Sequence, residues 1–299
     1  MLELKKIGQR SALLMCLFFL CSAFTGDSPR AGKVMDDLYV VGRSEQRFQE
    51  LYAAGAQKGY FYYEELTREL LPAFKGLPYG AGGSGCPADK TLVNFFSFDC
   101  VTFVETYWAL VYTIYEFHAG KVRRGISPFV QFGENLNRIR YFGGENCGME
   151  FRIHYFTQQM EELDRSGLVF NVGIANGYPF KKRINYISEH PDTYGDFAAS
   201  RRQKTLESAL NKTPRFYYPM RHRALYYPMA QDGDIIAFSS VEPGLDVSHC
   251  GIVTLEDGKP QLNHASGKYE KIVLGQDLDY YLAHRTKVNG FFVYRPRFQ

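Results

Sequence analysis

Cysteine is scarce, tryptophan nearly absent, and neither sign of charge prevails. Six Cys and one Trp stand among 299 residues, and Cys16 and Cys21 fall in the N-terminal leader. That leaves Cys86, Cys100, Cys147 and Cys250, too few for a disulfide-built scaffold. One bridge would suit an oxidising compartment, and the spacing does not select its pair. Residues 1–23 hold Lys5, Lys6 and Arg10 against Glu3, so the rest carries 32 basic and 31 acidic residues, a net of +1. A near-neutral body offers no electrostatic footing for nucleic acid, and none is expected as a partner. Past the leader no stretch is apolar enough to span a bilayer, which takes about 20 residues. No CxxC or HExxH spacing occurs, so no metal is expected. The Gly-rich stretch 76–87 ends in Gly-Cys-Pro, not in the Gly-Lys-Ser/Thr of a phosphate loop. Internal repeats and linker-like composition are lacking too. With 45% hydrophobic residues, 28 Gly and 13 Pro, the chain is neither collagen-like, nor disordered, nor a coiled coil.

What is present begins with a basic head, Lys5-Lys6 and Arg10, followed by an apolar run from Ser11 to Phe24. A basic head before about 12–14 apolar residues is the build of a secretory signal peptide. The small residues Ser22 and Ala23 suit cleavage after Ala23, giving a leader of 1–23 and a single domain over 24–299. An uncleaved anchor also fits the run. Lipidation at Cys21 fits less well, because Leu20 is bulky where a small residue is wanted. An exported, periplasmic or cell-envelope protein is expected, touching membrane only if the leader is retained or lipidated. Oligomeric state leaves no mark in the sequence.

Residues 24–45 read as a polar lead-in, and Arg47 to Phe74 as helical, with Phe48, Leu51, Tyr52, Leu66, Leu70 and Leu71 three and four apart. The Gly- and Pro-rich stretch 76–87 reads as a string of turns. Asp99 then caps the clearest helix, in which Cys100, Phe103, Val104, Tyr107, Trp108, Val111, Ile114 and Tyr115 form one apolar stripe. Two more helical pieces flank an Arg138–Gly144 turn within 127–165. The last 70 residues turn β-rich, at Asp234–Ser239, Val247–Leu255, Gln261–Ala265, Glu270–Leu274 and Gly290–Arg295. Helices first and an antiparallel sheet later is an α+β layout.

Cys100 stands at the head of its helix, where unpaired N–H groups and the positive dipole end favour a thiolate and could hold an oxyanion. A small buried residue opening a core stripe is the plainer reading of the same position. Two imidazoles sharpen the first. A hairpin turn centred on Asp257-Gly258 sets His264 opposite Gly251, and one centred on Glu256-Asp257 sets it opposite His249. Either register puts both imidazoles on one face of the sheet. A Cys nucleophile, a His249 base and a His264 orienting the base form a generalised triad. Two satisfied sheet histidines are the alternative. Zinc on His249, Cys250 and His264 is disfavoured, because Cys250 points away from His249 in a regular strand. Weaker candidates for oxyanion or substrate binding are Tyr79 in its Pro-Tyr-Gly turn, Asp99 (otherwise an N-cap), Asp246 before the His249 strand, and Arg152 and His154.

These residues carry a resemblance. Pro78-Tyr-Gly-Ala-Gly-Gly, Phe98-Asp-Cys100-Val-Thr-Phe-Val-Glu, Gly233-Asp-Ile-Ile-Ala-Phe, Gly244-Leu-Asp-Val-Ser-His249-Cys-Gly-Ile and Leu262-Asn-His264-Ala-Ser resemble blocks of the NlpC-type, papain-like cell-wall cysteine hydrolases. With Arg152-Ile-His-Tyr-Phe between them, they are most similar to a group once classed as a domain of unknown function and taken to be N-acetylmuramoyl-L-alanine amidases. The resemblance spans roughly residues 60–295 and departs from the family pattern in the Gly-Ser-Gly-Cys-Pro loop end and in Cys250 after the base. It implies a papain-like fold with the nucleophile helix packed on a C-terminal antiparallel sheet. Cys100, His249 and His264 would be the catalytic residues, no cofactor would be needed, and the substrate would be a muropeptide or anhydro-muropeptide cut between the lactyl group and L-Ala. Two alternatives stay open: cleavage between γ-D-Glu and the diamino acid, and a non-catalytic muropeptide-binding protein.

Overall fold

A computed structural model describes residues 37–59, 61–80, 86–144, 148 and 150–298. The expected leader, with Cys16 and Cys21, lies outside the described residues, as do most of the 24–45 lead-in, residues 81–85 of the Gly-rich stretch, and Cys147.

The helical half comes first. Strand β1 (Leu38–Val40) leads into helices α1 (Ser44–Ala56) and α2 (Tyr63–Leu70). Strand β2 (Thr91–Val93) pairs in parallel with β1, a contact with no signal in the polar lead-in. Three further helices follow: α3 (Cys100–His118), α4 (Pro128–Arg140) and α5 (Phe156–Arg165). The helical reading of 47–74 needs correction. The chain leaves the helix after Ala56, passes Gly59, and re-enters behind an extended Tyr62. Glycine in a helix interior is unfavourable by about 1 kcal/mol, and here the break lets α2 change direction. At Gly55 the reason for glycine is packing: a Cβ there would stand 2.7 Å from Ile114 Cδ1 of α3.

α3 organises the molecule. Asp99 Oδ1 accepts from Thr102 N at 2.7 Å, and Thr102 Oγ1 accepts from Asp99 N at 3.0 Å. That reciprocal capping box fixes where the helix starts and therefore where Cys100 sits. The helix is buried on nearly every side, not only along the expected stripe. Its aromatic residues pack into the core with Phe48 of α1, Phe129 and Phe132 of α4, and the inner face of the sheet. α4 ends at Arg140, and Gly143 and Gly144 then take left-handed φ of 73° and 69° to turn the chain.

The sheet half carries β3 (Val169–Asn171), β4 (Tyr178–Pro179), helix α6 (Arg201–Lys212) and β5 (Phe216–Pro219). The strands β6 (Ile235–Ser240), β7 (Val247–Glu256), β8 (Lys259–Ser266) and β9 (Lys271–Asp277) then form a meander, followed by the short helix α7 (Leu278–Ala283) and β10 (Val288–Pro296). The order is β4-β5-β10-β6-β7-β8-β9, with β3 also beside β10 and every pair antiparallel. Both faces of the central strands are covered, so β6 is buried throughout. Side-chain alternation then sorts the residues. Ile235, Ala237, Cys250, Ile252 and Ala265 join the core around α3, while Ile236, Phe238, Val253 and Leu262 join a second core with Tyr281 and Leu282 of α7. The α+β layout holds, with the Cys100 helix on one face of an antiparallel sheet.

Candidate active site

The β7–β8 hairpin chooses between the two registers. Ile252 faces Asn263 and Val253 faces Leu262, which centres the turn on Asp257-Gly258. Both turn residues have positive φ, 50° and 73°, as a two-residue primed turn requires. His264 thus falls opposite Gly251, where an added Cβ would come 3.1 Å from His264 Cβ and 2.7 Å from Asn263 O. His249 lies diagonally across, and its Nε2 is 2.6 Å from His264 Nδ1.

The chain of hydrogen bonds continues one residue further. His264 Nε2 lies 3.0 Å from Gln276 Oε1 on β9. Burial first, and the neighbouring His249 second, push His264 down to about 3, so its ring is neutral and carries one proton. An amide oxygen only accepts, which puts that proton on Nε2 and leaves Nδ1 as an acceptor. His249 Nε2 must then be the donor across the 2.6 Å contact, and His249 Nδ1 is the nitrogen left free to act as a base. Gln276 carried no signal in the sequence; an amide two strands from the nucleophile is invisible until β9 pairs with β8.

Cys100 is half-buried on the first turn of α3 and free of any disulfide. A hydrogen bond from the Cys250 thiol, working against burial and joined by the His249 imidazole, holds its thiol well below the usual range. His249 and Cys250 are successive residues on opposite faces of β7, yet both lower this thiol. The pairing of β6 with β7 shifts register between His249 and Val247, and such irregularities bend a strand. Thr102 N is taken by Asp99, so the N–H groups of Cys100 and Val101 are the first-turn donors with no helical acceptor. Such donors are what an oxyanion formed beside Cys100 would need.

Around this centre the weaker candidates divide. A cleft of about 180 Å³ opens at the head of α3, lined by Asp99, Val101, Arg152, Ile153, His154 and Phe156. Arg152 donates to Glu105 Oε1 at 2.7 Å and to the Arg140 carbonyl at 3.1 Å. Glu105 also accepts from Arg140 Nε at 2.8 Å and from Gln159 Nε2 at 2.6 Å. Burial works to raise Glu105, but Arg152 and Arg140 outweigh it and keep the carboxyl below its usual range. The cluster ties α3, α4 and α5 beneath the cleft; a lone Glu inside an apolar stripe was its one trace in the sequence. His154 packs edge-on against Tyr194 and tilts against Phe197. Tyr79 is not part of that lining. Its backbone bridges to Phe98, its ring lies over Gly267, and burial and then the Cys100 charge raise its phenol.

Two candidates turn out to be anchors. Asp99 is occupied in the cap of α3. Asp246 is 1% exposed, and its Oδ2 accepts from both Thr157 N and Thr157 Oγ1 at 2.8 Å, capping α5 from a distant loop. Asp246 is thus shut away from any substrate, whereas Asp99 uses only Oδ1 in its cap and still lines the cleft. Behind the imidazoles, Tyr281 lies 5.4 Å from the His264 ring with Arg285 4.1 Å over its face. Both come from α7 and the turn after it, which sequence reading did not foresee.

Wider hollows of about 600 and 540 Å³ lie along α6 among Lys204, Ser208 and Lys212, with no thiol or imidazole in their walls. Cys86 is held in a disulfide, and Cys100 and Cys250 are free. Among the described residues no group of three or more His, Cys, Asp and Glu side chains could hold a metal ion, and no helix is long and apolar enough to cross a membrane.

Comparison with known proteins shows the family. Residues 70–290 match the AmiA-like family, described as N-acetylmuramoyl-L-alanine amidase-like. A crystal structure of an N-acetylmuramoyl-L-alanine amidase from Bacteroides uniformis superposes with a TM-score of 0.65 at 28% identity, covering 84% of this chain and 99% of that one. A second crystal structure so described from the same organism is 31% identical over 76% of this chain and 97% of its own, also with a TM-score of 0.65. A Legionella pneumophila protein of family DUF1460 shares the fold at 17% identity, with a TM-score of 0.57 over 84% of this chain and 95% of its own. Among curated proteins no relative matches. The match over most of its length makes this chain a member of the N-acetylmuramoyl-L-alanine amidase-like family.

Proposed function

We propose that the protein is a cysteine-dependent N-acetylmuramoyl-L-alanine amidase of the NlpC-type, papain-like superfamily. It acts on muropeptides or anhydro-muropeptides in the periplasm or cell envelope, after residues 1–23 have served as a signal peptide, and residues 24–299 form its one domain. The observation that carries the reading is the hydrogen-bonded series His249, His264 and Gln276, whose first imidazole lowers the Cys100 thiol. The tautomers fixed by Gln276 leave His249 Nδ1 as the base on the thiol side.

The reaction runs in two halves. His249 takes the Cys100 proton, and the thiolate attacks the lactyl carbonyl carbon of N-acetylmuramic acid. The oxyanion rests on the N–H groups of Cys100 and Val101, with the Tyr79 hydroxyl as a further donor. The C–N bond breaks as His249 Nδ1 returns the proton to the departing L-Ala amine. Water, deprotonated by His249, then hydrolyses the thioester and frees the sugar acid and the thiol. Every proton and electron pair is accounted for without a cofactor. His264 holds the ring of His249 and accepts its Nε2–H throughout.

The test is a defined disaccharide-tetrapeptide with product mass spectrometry. The reading requires a tetrapeptide with a new L-Ala N-terminus and a bare disaccharide acid, and no turnover by Cys100→Ala. Cleavage between γ-D-Glu and the diamino acid would replace this bond assignment with the endopeptidase one. Turnover retained in Cys100→Ala would end the thiol mechanism.

A further inference from the structure

Cys250 has no task in that mechanism, although it follows the base directly on β7. Its side chain is fully buried and forms no disulfide. Strand alternation carries it to the α3 face, away from His249. There its Sγ donates to the backbone carbonyl of Cys100 at 3.1 Å. That carbonyl is already a helical acceptor for the residue four ahead, so the thiol adds a second bond to it. Cys100 is thus met by a thiol from the α3 face of β7, while the His249 imidazole, on the other face, also favours its thiolate. Burial, and then the proximity of Cys100, raise Cys250 well above the ordinary thiol range. Cys250 accordingly keeps its proton wherever Cys100 loses its own, and so remains a donor.

We propose that Cys250 is a positioning residue that holds the Cys100 thiolate: its S–H rests on the Cys100 carbonyl while Cys100 is a thiol, and turns to the sulfur when the thiolate forms. No bond is made or broken at Cys250. The Cys100 proton passes to His249 Nδ1, and the thiolate is then held by two donors, the His249 N–H and the Cys250 S–H. Hydrogen bonds to the charged form of a group favour that form. Cys100 would thus stay ionised, in a buried setting that otherwise opposes ionisation, even before substrate arrives. The proposal rests on the thiol mechanism above and adds to it a residue that acts through Cys100.

The test is the rate of Cys100 alkylation by iodoacetamide from pH 5 to 9, read on the Cys100 peptide by mass spectrometry in the full-length protein. Cys250→Ala and Cys250→Val both remove the donor but err in opposite steric directions, and Cys250→Ser keeps one. The expected result is a midpoint raised by about one unit in the Ala and Val variants alike, with roughly tenfold less thiolate below it, and a midpoint near wild type in Cys250→Ser. Alanine and valine profiles that overlay the wild-type curve, with only the Tm lowered, would reduce Cys250 to a packing residue. A serine variant that follows alanine would overturn the proposal as well. If wild-type Cys100 reacts no faster at pH 6 than a free cysteine, the thiolate reading itself falls and this assignment with it. Fast wild-type labelling with unchanged variants removes the Cys250 role alone.

Discussion

The neutral His264 makes stability depend on pH in a direction that can be worked out in advance. Its ring is 1% exposed and is pushed from 6.5 in the unfolded chain down to about 3 in the fold. Below pH 6.5 the unfolded chain binds a proton that the folded chain refuses, so folding stability is full above that point and falls as the solution is acidified toward pH 3. The slope is about 1.4 kcal/mol per pH unit, or about 2 kcal/mol between pH 6.5 and 5 and nearly 5 kcal/mol over the whole window. His264→Gln removes the titrating group and keeps an acceptor for His249 Nε2. Urea unfolding followed through the buried Trp108 at pH 7 and pH 5 measures the effect. Wild type should lose about 2 kcal/mol more than the variant across that interval. Equal losses in the two proteins, within about 0.5 kcal/mol, would mean that His264 is protonated in the fold, and the tautomer argument for His249 would collapse.

Two other perturbations follow from the same geometry. Gln276→Leu removes the acceptor that fixes the His264 tautomer and should lower kcat about five- to tenfold with KM unchanged, the worth of one hydrogen bond of about 1 kcal/mol; Gln276→Glu should keep most of the rate, and a leucine variant with wild-type kcat would make the amide idle. Glu105→Ala strands the guanidiniums of Arg140 and Arg152 in the interior, which costs about 3–5 kcal/mol. In a domain of this size that is a fall of roughly 10 °C in Tm by calorimetry, and an unchanged Tm would show the cluster to be dispensable.

Legibility followed the range of the interactions. The cap and stripe of α3 are local, and they read correctly from Asp99 through Tyr115. The parity that puts His249 and His264 on one face needs only strand alternation and a two-residue turn, and Asp257-Gly258 supplies it. The failures begin where tertiary packing decides. The helical spacing of 47–74 continued across Gly59, but packing against α3 favoured a turn there and two separate helices. Asp246 looked like a loop carboxylate, and only its contact with Thr157, 89 residues away in sequence, shows it to be the cap of α5. Cys250 was expected in the core on the face opposite His249, and it is there. The register shift at the start of β7, and the bond from the Cys250 thiol to the Cys100 carbonyl, have no signature in sequence. Gln276 and Tyr281 enter through β9 and α7, and the residue pattern of α7 did not mark it as a helix.

The central claim is that Cys100 carries the acyl half of the substrate through a covalent step. Mixing enzyme with disaccharide-tetrapeptide, quenching in acid within the first turnover and weighing the Cys100 peptide tests it directly. The account predicts that peptide heavier by the muramoyl disaccharide acyl group, with no such adduct in Cys100→Ala. Rapid turnover with an unmodified Cys100 peptide at every quench time, or an adduct carrying stem-peptide mass in place of sugar, would contradict it.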